Sequence, residues 1–129
     1  MQDLFDLQDK VAVITGGGGI LCSEMARALA DRGVKVAVLD RNEAAARRVV
    51  DGIGQNGGEA VYIGADVLDK ASLESARDIV LSSFGTVDIL INGAGGNKAE
   101  ATTSDSMSFF DIPPEAIQWV FNLNIIGTV

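Results

Sequence analysis

The chain contains no histidine, so no step within it can depend on an imidazole base or an imidazole metal ligand. Its one cysteine, Cys22, cannot form an internal disulfide, which suits a reducing cytosol. No apolar run is long enough to span a bilayer, and the acidic N-terminus lacks the basic start of a secretory signal. We therefore expect a cytoplasmic protein with no metal site and no membrane partner.

Basic residues are also scarce, since 10 Lys and Arg stand against 18 Asp and Glu and give a formal net charge of -8. No basic cluster stands out, so we expect no nucleic-acid partner. Apolar residues are plentiful at 47%, and there are 15 glycines. A chain of 129 residues with this composition is long enough for one domain with a hydrophobic core.

Short apolar runs alternate with segments of helical periodicity. Strands are predicted over residues 10–15, 34–39, 60–65 and 87–92. Helices are predicted over residues 19–32, from Asn42 to a break at residues 56–58, from Asp69 to Gly85, and from Pro113. The alternation predicts an α/β fold with a parallel sheet and right-handed crossovers.

The pattern makes two further local predictions. A polar stretch over residues 97–108 predicts a long loop before the last helix, and such loops are often functional. The apolar stripe of the first helix is predicted, from helical spacing, to be Leu21, Met25, Ala28 and Leu29.

Four glycines, Gly16 to Gly19, follow the first predicted strand and precede the first helix. Strand, glycine turn and helix together place backbone N–H groups and a helix N-terminus against a phosphate. Glycine lets the chain turn sharply and lets a ligand approach the bare backbone. The loop is therefore predicted to bind the pyrophosphate of a dinucleotide, although a purely structural turn has the same pattern.

Asp40 ends the second predicted strand, 24 residues after Gly16. A carboxylate there can accept hydrogen bonds from the ribose diol of an adenosine, and it repels a 2′-phosphate, so NAD is favoured over NADP. The neighbouring Arg41 weakens that preference because a guanidinium can bind the phosphate. The alternative for Asp40 is a solvated strand-end aspartate or a helix cap.

Two further turns are predicted at the same edge of the sheet. Asp66-Val67 ends the third strand. The Asp66 carboxylate can accept a hydrogen bond from an adenine amino group, and Val67 can cover the adenine ring. An aspartate that only forms the turn before the next helix is an equally good interpretation. Small residues in the segment 92–96, Asn-Gly-Ala-Gly-Gly, leave space after the fourth strand. With strand order 3-2-1-4, the switch point falls between the first and fourth strands, so both glycine turns border one crevice.

Asn124 lies in the last predicted helix, on the same apolar stripe as Ile117, Val120 and Phe121, and is predicted to be buried. A buried amide left without partners costs on the order of 1–3 kcal/mol. Asn124 is therefore either a structural hydrogen-bonding post, which the residues alone slightly favour, or part of a site.

Cys22 lies near the predicted N-terminus of the first helix, where the helix would lower its pKa. The chain has no histidine to act as its base. We therefore predict a small apolar packing role for Cys22 rather than a nucleophilic one.

Together these features resemble the N-terminal half of the short-chain dehydrogenase/reductase family. That family has a Thr-Gly-rich loop after the first strand and an acidic residue after the second strand in NAD-preferring members. It has Asp-Val after the third strand, Asn-Asn-Ala-Gly after the fourth and Asn-x-x-Gly in the fifth helix. The matching segments here are residues 15–21, Asp40, residues 66–67, residues 92–95 and residues 124–127.

The resemblance implies a doubly wound parallel sheet of the Rossmann type, incomplete here with about four strands. Residues 1–129 would be the N-terminal part of a single dinucleotide-binding domain, truncated in the fifth helix. The implied reaction is reversible hydride transfer between NAD(P) and an alcohol or carbonyl of a small-molecule substrate, with NAD favoured over NADP. The implied cofactor-binding residues are Gly16, Gly18, Gly19, Ile20, Asp40, Arg41, Asp66, Val67, Asn92, Gly93, Ala94 and Gly95. Of the family's catalytic Asn, Ser, Tyr and Lys, only the Asn is matched, by Asn124, which would shape the helix and hold a water in a proton relay.

The chain departs from the family pattern in three places. The glycine loop is one residue short, with Leu21 or Cys22 in place of its last glycine, and Gly93 replaces the second Asn of the fourth-strand motif. The Tyr-x-x-x-Lys pair is missing, because the only tyrosine, Tyr62, is followed four residues later by Asp66. The loop and residues 92–97 are most similar to those of D-mannonate (fructuronate) oxidoreductases. Polyol or other sugar-acid dehydrogenases and ketoacyl reductases are alternatives.

We therefore expect a fragment that binds NAD without turnover, the cofactor half of an oxidoreductase. The alternative is a non-catalytic dinucleotide-binding or sensor module whose natural chain lacks the active tyrosine. Because the fourth strand would form an unpaired apolar edge, we also expect homo-oligomers or aggregation.

Overall fold

A computed structural model describes residues 4–129. Strands and helices alternate in the order β1 Val11–Thr15, α1 Ile20–Ala30, β2 Lys35–Asp40, α2 Glu43–Gln55, β3 Ala60–Gly64, α3 Lys70–Phe84 and β4 Ile89–Asn92. Then come two 3₁₀ turns, a helix and a π-helical turn, at Ala99–Ala101, Phe109–Asp111, α4 Pro114–Phe121 and Asn122–Ile126. The chain divides into two compact units, of which the first ends at Gly93 and the second runs from Ala94 to Val129.

The first unit is built on a four-stranded parallel sheet of order β3-β2-β1-β4, which confirms the predicted order. All five residues of β1 are buried, as expected for a central strand covered on both faces. Val13 of β1 pairs with Ala37 of β2 on one side and with Leu90 of β4 on the other. Among the described residues β4 is an edge strand, and Leu90 is 59% exposed.

Alternate side chains of the strands point to opposite faces of the sheet and form two cores. One core joins strand residues to α1 and α2, and includes Ala12, Ile14, Val36, Val38, Ala26 and Val49. The other joins strand residues to α3, and includes Val11, Val13, Ala37, Leu39, Ala76 and Val80. Helices therefore cover both faces of the sheet, which is the predicted doubly wound arrangement.

The predicted apolar stripe of α1 is wrong except at Leu29, which is half-buried and packs against the core. Leu21 is 73% exposed and Met25 is 45% exposed, whereas the buried residues of the helix are Cys22, Ser23, Ala26 and Ala30. Cys22, Ala26 and Ala30 repeat every four residues and pack in the core against the strands. These small side chains allow the helix to lie close to the sheet, and the larger ones are left on its outer side.

The other helices of the first unit begin and end at the residues that the sequence predicts. Asn42 caps α2 by accepting a hydrogen bond from the Ala45 N–H at 3.1 Å, and Asp69 caps α3 by accepting from the Ala71 N–H at 3.0 Å. Gly85 ends α3 in the left-handed conformation, with φ 82°.

In the second unit, the predicted loop over residues 97–108 contains a 3₁₀ turn and an antiparallel bridge between Ser104 and Met107. Helix α4 begins at Pro114, directly after Pro113, as predicted. The helix then widens into the π-helical turn, where the Gly127 N–H donates to the Asn122 carbonyl at 2.8 Å. Such turns are rare and frequently occur at functional sites.

Candidate cofactor site

The carboxyl ends of the four strands meet at one edge of the sheet. Thr15, the last residue of β1, pairs with Leu39 of β2 and with Asn92 of β4. Asp40, the last residue of β2, pairs with Gly64 of β3. The glycine loop, Asp40 and Asn92 therefore leave the sheet side by side, at the edge where open α/β sheets bind ligands.

The glycine loop follows β1 in a tight turn that needs glycine at two positions for different reasons. Gly16 has φ 64°, in the left-handed region, and its carbonyl accepts from the Gly19 N–H at 3.0 Å. Gly17 lies against β2, where its N–H donates to the Leu39 carbonyl at 3.1 Å. A Cβ on Gly17 would lie 2.7 Å from Val38 Cγ1, so a side chain there would push the loop off the sheet.

The loop ends at the N-terminus of α1, which has no side-chain cap. Gly19 is the N-cap residue, and the first turn holds no acidic side chain. The amides of that turn carry the partial positive charge of the helix end and lack an internal acceptor. The eleven-residue helix thus presents backbone donors to an anion such as a pyrophosphate.

Asp40 is held in place through both of its carboxylate oxygens. Oδ2 accepts a hydrogen bond from the Gly18 N–H at 2.9 Å, and Oδ1 accepts from the Asn42 N–H at 2.8 Å. These bonds join the glycine loop to the start of α2 and fix the orientation of the carboxylate. An ionised carboxylate has about four acceptor positions, so Asp40 keeps capacity for two hydroxyl groups.

Arg41 and Asp66, both predicted to contact the cofactor, also contact each other. Arg41 Nη1 lies 3.4 Å from Asp66 Oδ2, and the Arg41 side chain is exposed. Asp66 also forms the turn before α3, since its Oδ1 accepts from the Leu68 N–H at 2.9 Å and its N–H donates to Ser72 Oγ at 3.0 Å. The turn role of Asp66 is therefore present in the structure. Val67 beside it is half-buried.

Asn92 ends β4 beside the glycine loop, and Gly93 follows it. The Gly93 N–H donates to Thr15 Oγ1 at 3.1 Å, so the buried Thr15 hydroxyl ties the end of β1 to the turn after β4. Cys22 of α1 packs against the same turn, because a Cβ built on Gly93 would overlap its Sγ. A crevice of about 450 Å³ opens here, lined by residues of the glycine loop, α1 and β4 that include Gly16, Gly19, Leu21, Met25 and Ile91.

The surroundings of Cys22 change its expected ionisation. Burial raises the pKa of the Cys22 thiol above its ordinary value, and the negative charge of Asp40 adds to the increase. The expectation that the helix N-terminus lowers this pKa is therefore wrong. A neutral, buried thiol agrees with the predicted packing role.

Ala94, Gly95 and Asn124 belong to the second unit. Asn124 is exposed, which contradicts its predicted burial, since α4 and the π-helical turn place much of the predicted stripe on the surface. Its side chain nevertheless makes three hydrogen bonds. Oδ1 accepts from the Gly96 N–H at 3.1 Å, and Nδ2 donates to the carbonyls of Gly96 at 2.7 Å and Val120 at 2.8 Å.

Gly95 lies directly beside this network. A Cβ on Gly95 would lie 2.6 Å from Asn124 Oδ1, so only glycine lets the turn approach the amide this closely. The Asn124 side chain thus joins the turn at Gly96 to the last helix through hydrogen bonds. This is the structural role that the residue pattern alone slightly favours.

The chain matches the family model described as short chain dehydrogenase over residues 10–129. The chain belongs to the short-chain dehydrogenase family. The uncharacterized oxidoreductase UxuB of Bacillus subtilis (strain 168) is 47% identical to this short-chain dehydrogenase over 130 residues, which cover 95% of the chain and 47% of UxuB.

Solved structures of short-chain dehydrogenases agree with the fold. A candidate D-mannonate oxidoreductase from Haemophilus influenza, with bound NAD, is 41% identical with a TM-score of 0.89, and the match covers 95% of this chain and 47% of that one. The 3-ketoacyl-(acyl-carrier-protein) reductase of Brucella melitensis, complexed with NADH, is 34% identical with a TM-score of 0.78, over 95% and 46% of the two chains. The chain spans about half the length of the relatives that it matches.

Two contacts that shape the candidate site were not predicted from the sequence. Thr15 links β1 to Gly93 through its hydroxyl, and the Asn42 backbone orients Asp40. Thr15 is the one hydroxyl residue in an otherwise apolar, buried strand, and this pattern could have indicated that its side chain has a hydrogen-bond partner. Within residues 4–129, no cluster of His, Cys, Asp and Glu side chains could hold a metal ion, and no helix is long and apolar enough to cross a membrane.

Proposed function

We propose that the edge of the sheet formed by the glycine loop, Asp40 and Asn92 binds NAD. The observation that carries the proposal is the uncapped N-terminus of α1, set behind the loop and next to a carboxylate that the Gly18 amide orients. The loop and the first-turn amides of α1 would hold the pyrophosphate, through Gly16, Gly18, Gly19 and Ile20. Asp40 would accept hydrogen bonds from the adenosine ribose diol.

The remaining predicted contacts follow the same edge. Asp66 and Val67 would contact the adenine, and Asn92 and Gly93 would border the rest of the cofactor. Asp40 disfavours a 2′-phosphate, and Arg41 already lies near Asp66, so we propose NAD rather than NADP. An exposed ion pair is worth only about 0–1 kcal/mol, so the support from Arg41 is modest.

We further propose that the chain supplies the cofactor half of an oxidoreductase that converts an alcohol to a carbonyl and back. Bound NAD would supply hydride-accepting chemistry, and NADH the reverse. Asn124 would hold a water in a proton relay, from a side chain already fixed on Gly96. The candidate D-mannonate oxidoreductase among the similar structures supports a sugar acid such as D-mannonate or fructuronate as substrate.

The chain by itself is not expected to turn over. Tyr62, its only tyrosine, packs in β3 under Arg47, whose guanidinium carbon lies 5.3 Å from the ring centroid. Asp66, not lysine, follows it by four residues, so Tyr62 is not part of a Tyr-x-x-x-Lys pair. The same observation supports the alternative, a non-catalytic dinucleotide-binding or sensor module. NAD-dependent alcohol oxidation by the purified chain would contradict the expectation of inactivity.

Calorimetric titration with NAD and NADP tests the cofactor proposal. Wild type should bind NAD more tightly than NADP, and Asp40→Ala should lose at least tenfold in NAD affinity. Asp40→Asn keeps an acceptor for the Gly18 N–H, so it separates anchoring of the loop from the charge that disfavours NADP. Asp51→Asn removes a charge from the exposed side of α2 and serves as the matched control. Equal wild-type affinity for the two cofactors would remove the role of Asp40.

We also propose that the protein forms homo-oligomers in the cytoplasm and acts on a small molecule, with no nucleic-acid or membrane partner. Leu21, Met25 and Leu90 are exposed on α1 and on the edge strand β4, and such apolar edges favour association. Light scattering at increasing concentration should show a mass above that of one chain. A single-chain mass throughout would contradict this expectation.

A further inference from the structure

Lys98 is the only lysine or arginine in residues 78–129. It follows the glycine turn after β4 and is half-buried. Its ammonium group forms no ion pair with a carboxylate of residues 4–129, although Glu100, Asp105 and Asp111 lie in the same segment. A cation set in an acidic region without an anionic partner is available for an anion from outside the chain.

Trp119 fixes the position of this ammonium group. Lys98 Nζ lies 4.8 Å from the centroid of the Trp119 ring, within the range of a cation–π interaction. The indole covers one side of the ammonium and forms no ion pair with it, so N–H donors remain for a further partner. The contact also restricts the flexible lysine stem before any ligand arrives, which lowers the ordering cost of binding.

Lys98 is attached to the same local framework as Asn124. The Asn124 side chain makes two hydrogen bonds to the backbone of Gly96, two residues before Lys98. Trp119 approaches that glycine as well, since its Cη2 would lie 3.8 Å from a Cβ on Gly96. The second unit thus brings a cation, an indole face and the proposed catalytic amide together around the turn at Gly96.

We propose that Lys98 binds the carboxylate of an anionic substrate, and that it selects sugar acids over neutral polyols. This inference rests on the proposed oxidoreductase function and names its substrate class. A carboxylate and an ammonium form a charge-assisted hydrogen bond, whereas a neutral polyol leaves the ammonium without an anion. The indole face of Trp119 provides a surface beside the ammonium against which the carbon chain of the acid can lie.

The single tryptophan makes the inference directly measurable, because Trp119 emission reports on the group next to Lys98. The full chain is titrated separately with D-mannonate, D-mannitol and acetate at constant ionic strength. The ligand concentration is raised to about 100 mM, which is enough to detect a Kd in the millimolar range. We expect a saturable emission change with D-mannonate and none with D-mannitol. Acetate, a bare carboxylate, should bind at least tenfold more weakly than D-mannonate.

Three variants complete the test. The apparent affinity of Lys98→Met for D-mannonate should be at least tenfold weaker than that of wild type. Lys98→Arg should keep the wild-type affinity. Lys70→Met removes an equally charged but fully exposed lysine from α3 and should behave as wild type. The inference is overturned by a flat wild-type response, by equal responses to D-mannonate and D-mannitol, or by a response that survives Lys98→Met.

Calorimetry with NAD on the same samples separates this inference from the cofactor proposal. Binding of NAD without a response to D-mannonate refutes the role of Lys98 alone. A response to D-mannonate without binding of NAD supports the role of Lys98 and refutes the cofactor proposal.

Discussion

Replacing Gly93 with alanine is expected to destabilise the first unit, by an amount that depends on Cys22. A Cβ on Gly93 would overlap the Cys22 sulfur and would lie 2.7 Å from the Thr15 carbonyl oxygen. Cys22 and Thr15 are 8% and 7% exposed, so both are held among neighbouring atoms. Gly93 does not have a positive φ, so the cost is steric rather than conformational. Overpacking costs about 1–3 kcal/mol, and two overlaps place Gly93→Ala near 2–3 kcal/mol.

A double-mutant cycle with Cys22→Ala separates the two overlaps. Cys22→Ala removes the sulfur and leaves the Thr15 carbonyl oxygen in place. Alanine at position 93 should therefore cost about 1 kcal/mol less in the Cys22→Ala background than in wild type, a coupling of ordinary size for residues in contact. The cost that remains belongs to the backbone oxygen, which cannot be moved without disturbing the pairing of β1 with β4.

Urea denaturation followed by far-UV circular dichroism measures the four free energies of unfolding in this cycle. Gly54→Ala is the matched control, because a Cβ there meets no atom within 4 Å and the residue lies in the last turn of α2. It should raise the stability by up to about 1 kcal/mol, since alanine is the better helix former. The reasoning would be refuted if the free energy of unfolding of Gly93→Ala lay within about 0.5 kcal/mol of wild type. It would also be refuted if alanine at position 93 cost the same in both backgrounds, because independent sites add to within about 0.5 kcal/mol.

Two further predictions concern the first unit. Burial and the charge of Asp40 raise the pKa of the Cys22 thiol in the folded state. The neutral thiol therefore contributes its full stabilisation at a pH below the pKa of the unfolded state. That stabilisation is lost as the pH rises through the pKa of the folded state. The stability of wild type relative to Cys22→Ala should therefore fall as the pH passes 9.0 in urea titrations, and a constant difference up to pH 11 would contradict the assigned burial of the thiol. Asn42→Ala removes the side-chain acceptor of the Ala45 N–H and should lower the free energy of unfolding by about 1 kcal/mol, whereas Asn42→Asp should preserve it. Equal losses in the two variants would show that the cap hydrogen bond contributes little.

The fold could be predicted from the sequence because its strands and helix ends depend on local signals. The apolar strands, the Asn42 and Asp69 caps and the Gly85 stop each act within a few residues, and their alternation predicts a parallel sheet. The strand order 3-2-1-4 was predicted as that of a doubly wound fold. The inner face of α1 was predicted wrongly because burial there depends on size. The periodicity marks Leu21 and Met25, but only the small side chains fit against the sheet.

The contacts within the candidate site could not be predicted, because they join residues that lie far apart in the chain. The sequence places Asp40 at the end of a strand, but it does not show that Gly18 takes one of its oxygens. It places Arg41 and Asp66 in separate motifs, and the structure pairs them. The burial of Asn124 was inferred from helical spacing, yet the π-helical turn and α4 leave that residue exposed with its hydrogen bonds made to the Gly96 turn.

Two departures from the family pattern explain each other once the packing is known. Cys22 lies near the place of the last loop glycine, and Gly93 replaces an asparagine in the turn after β4. The Cys22 sulfur occupies the space that a Cβ at position 93 would need, so the larger residue on α1 requires the smaller one after β4. The exchange leaves the Gly93 N–H bonded to Thr15 Oγ1 and the Asp40 carboxylate bonded to Gly18, at 3.1 Å and 2.9 Å. The shortened loop therefore keeps the Asp40 carboxylate and the uncapped start of α1 at the edge where the cofactor is proposed to bind, because the Cys22 side chain takes the space that a side chain at position 93 would need.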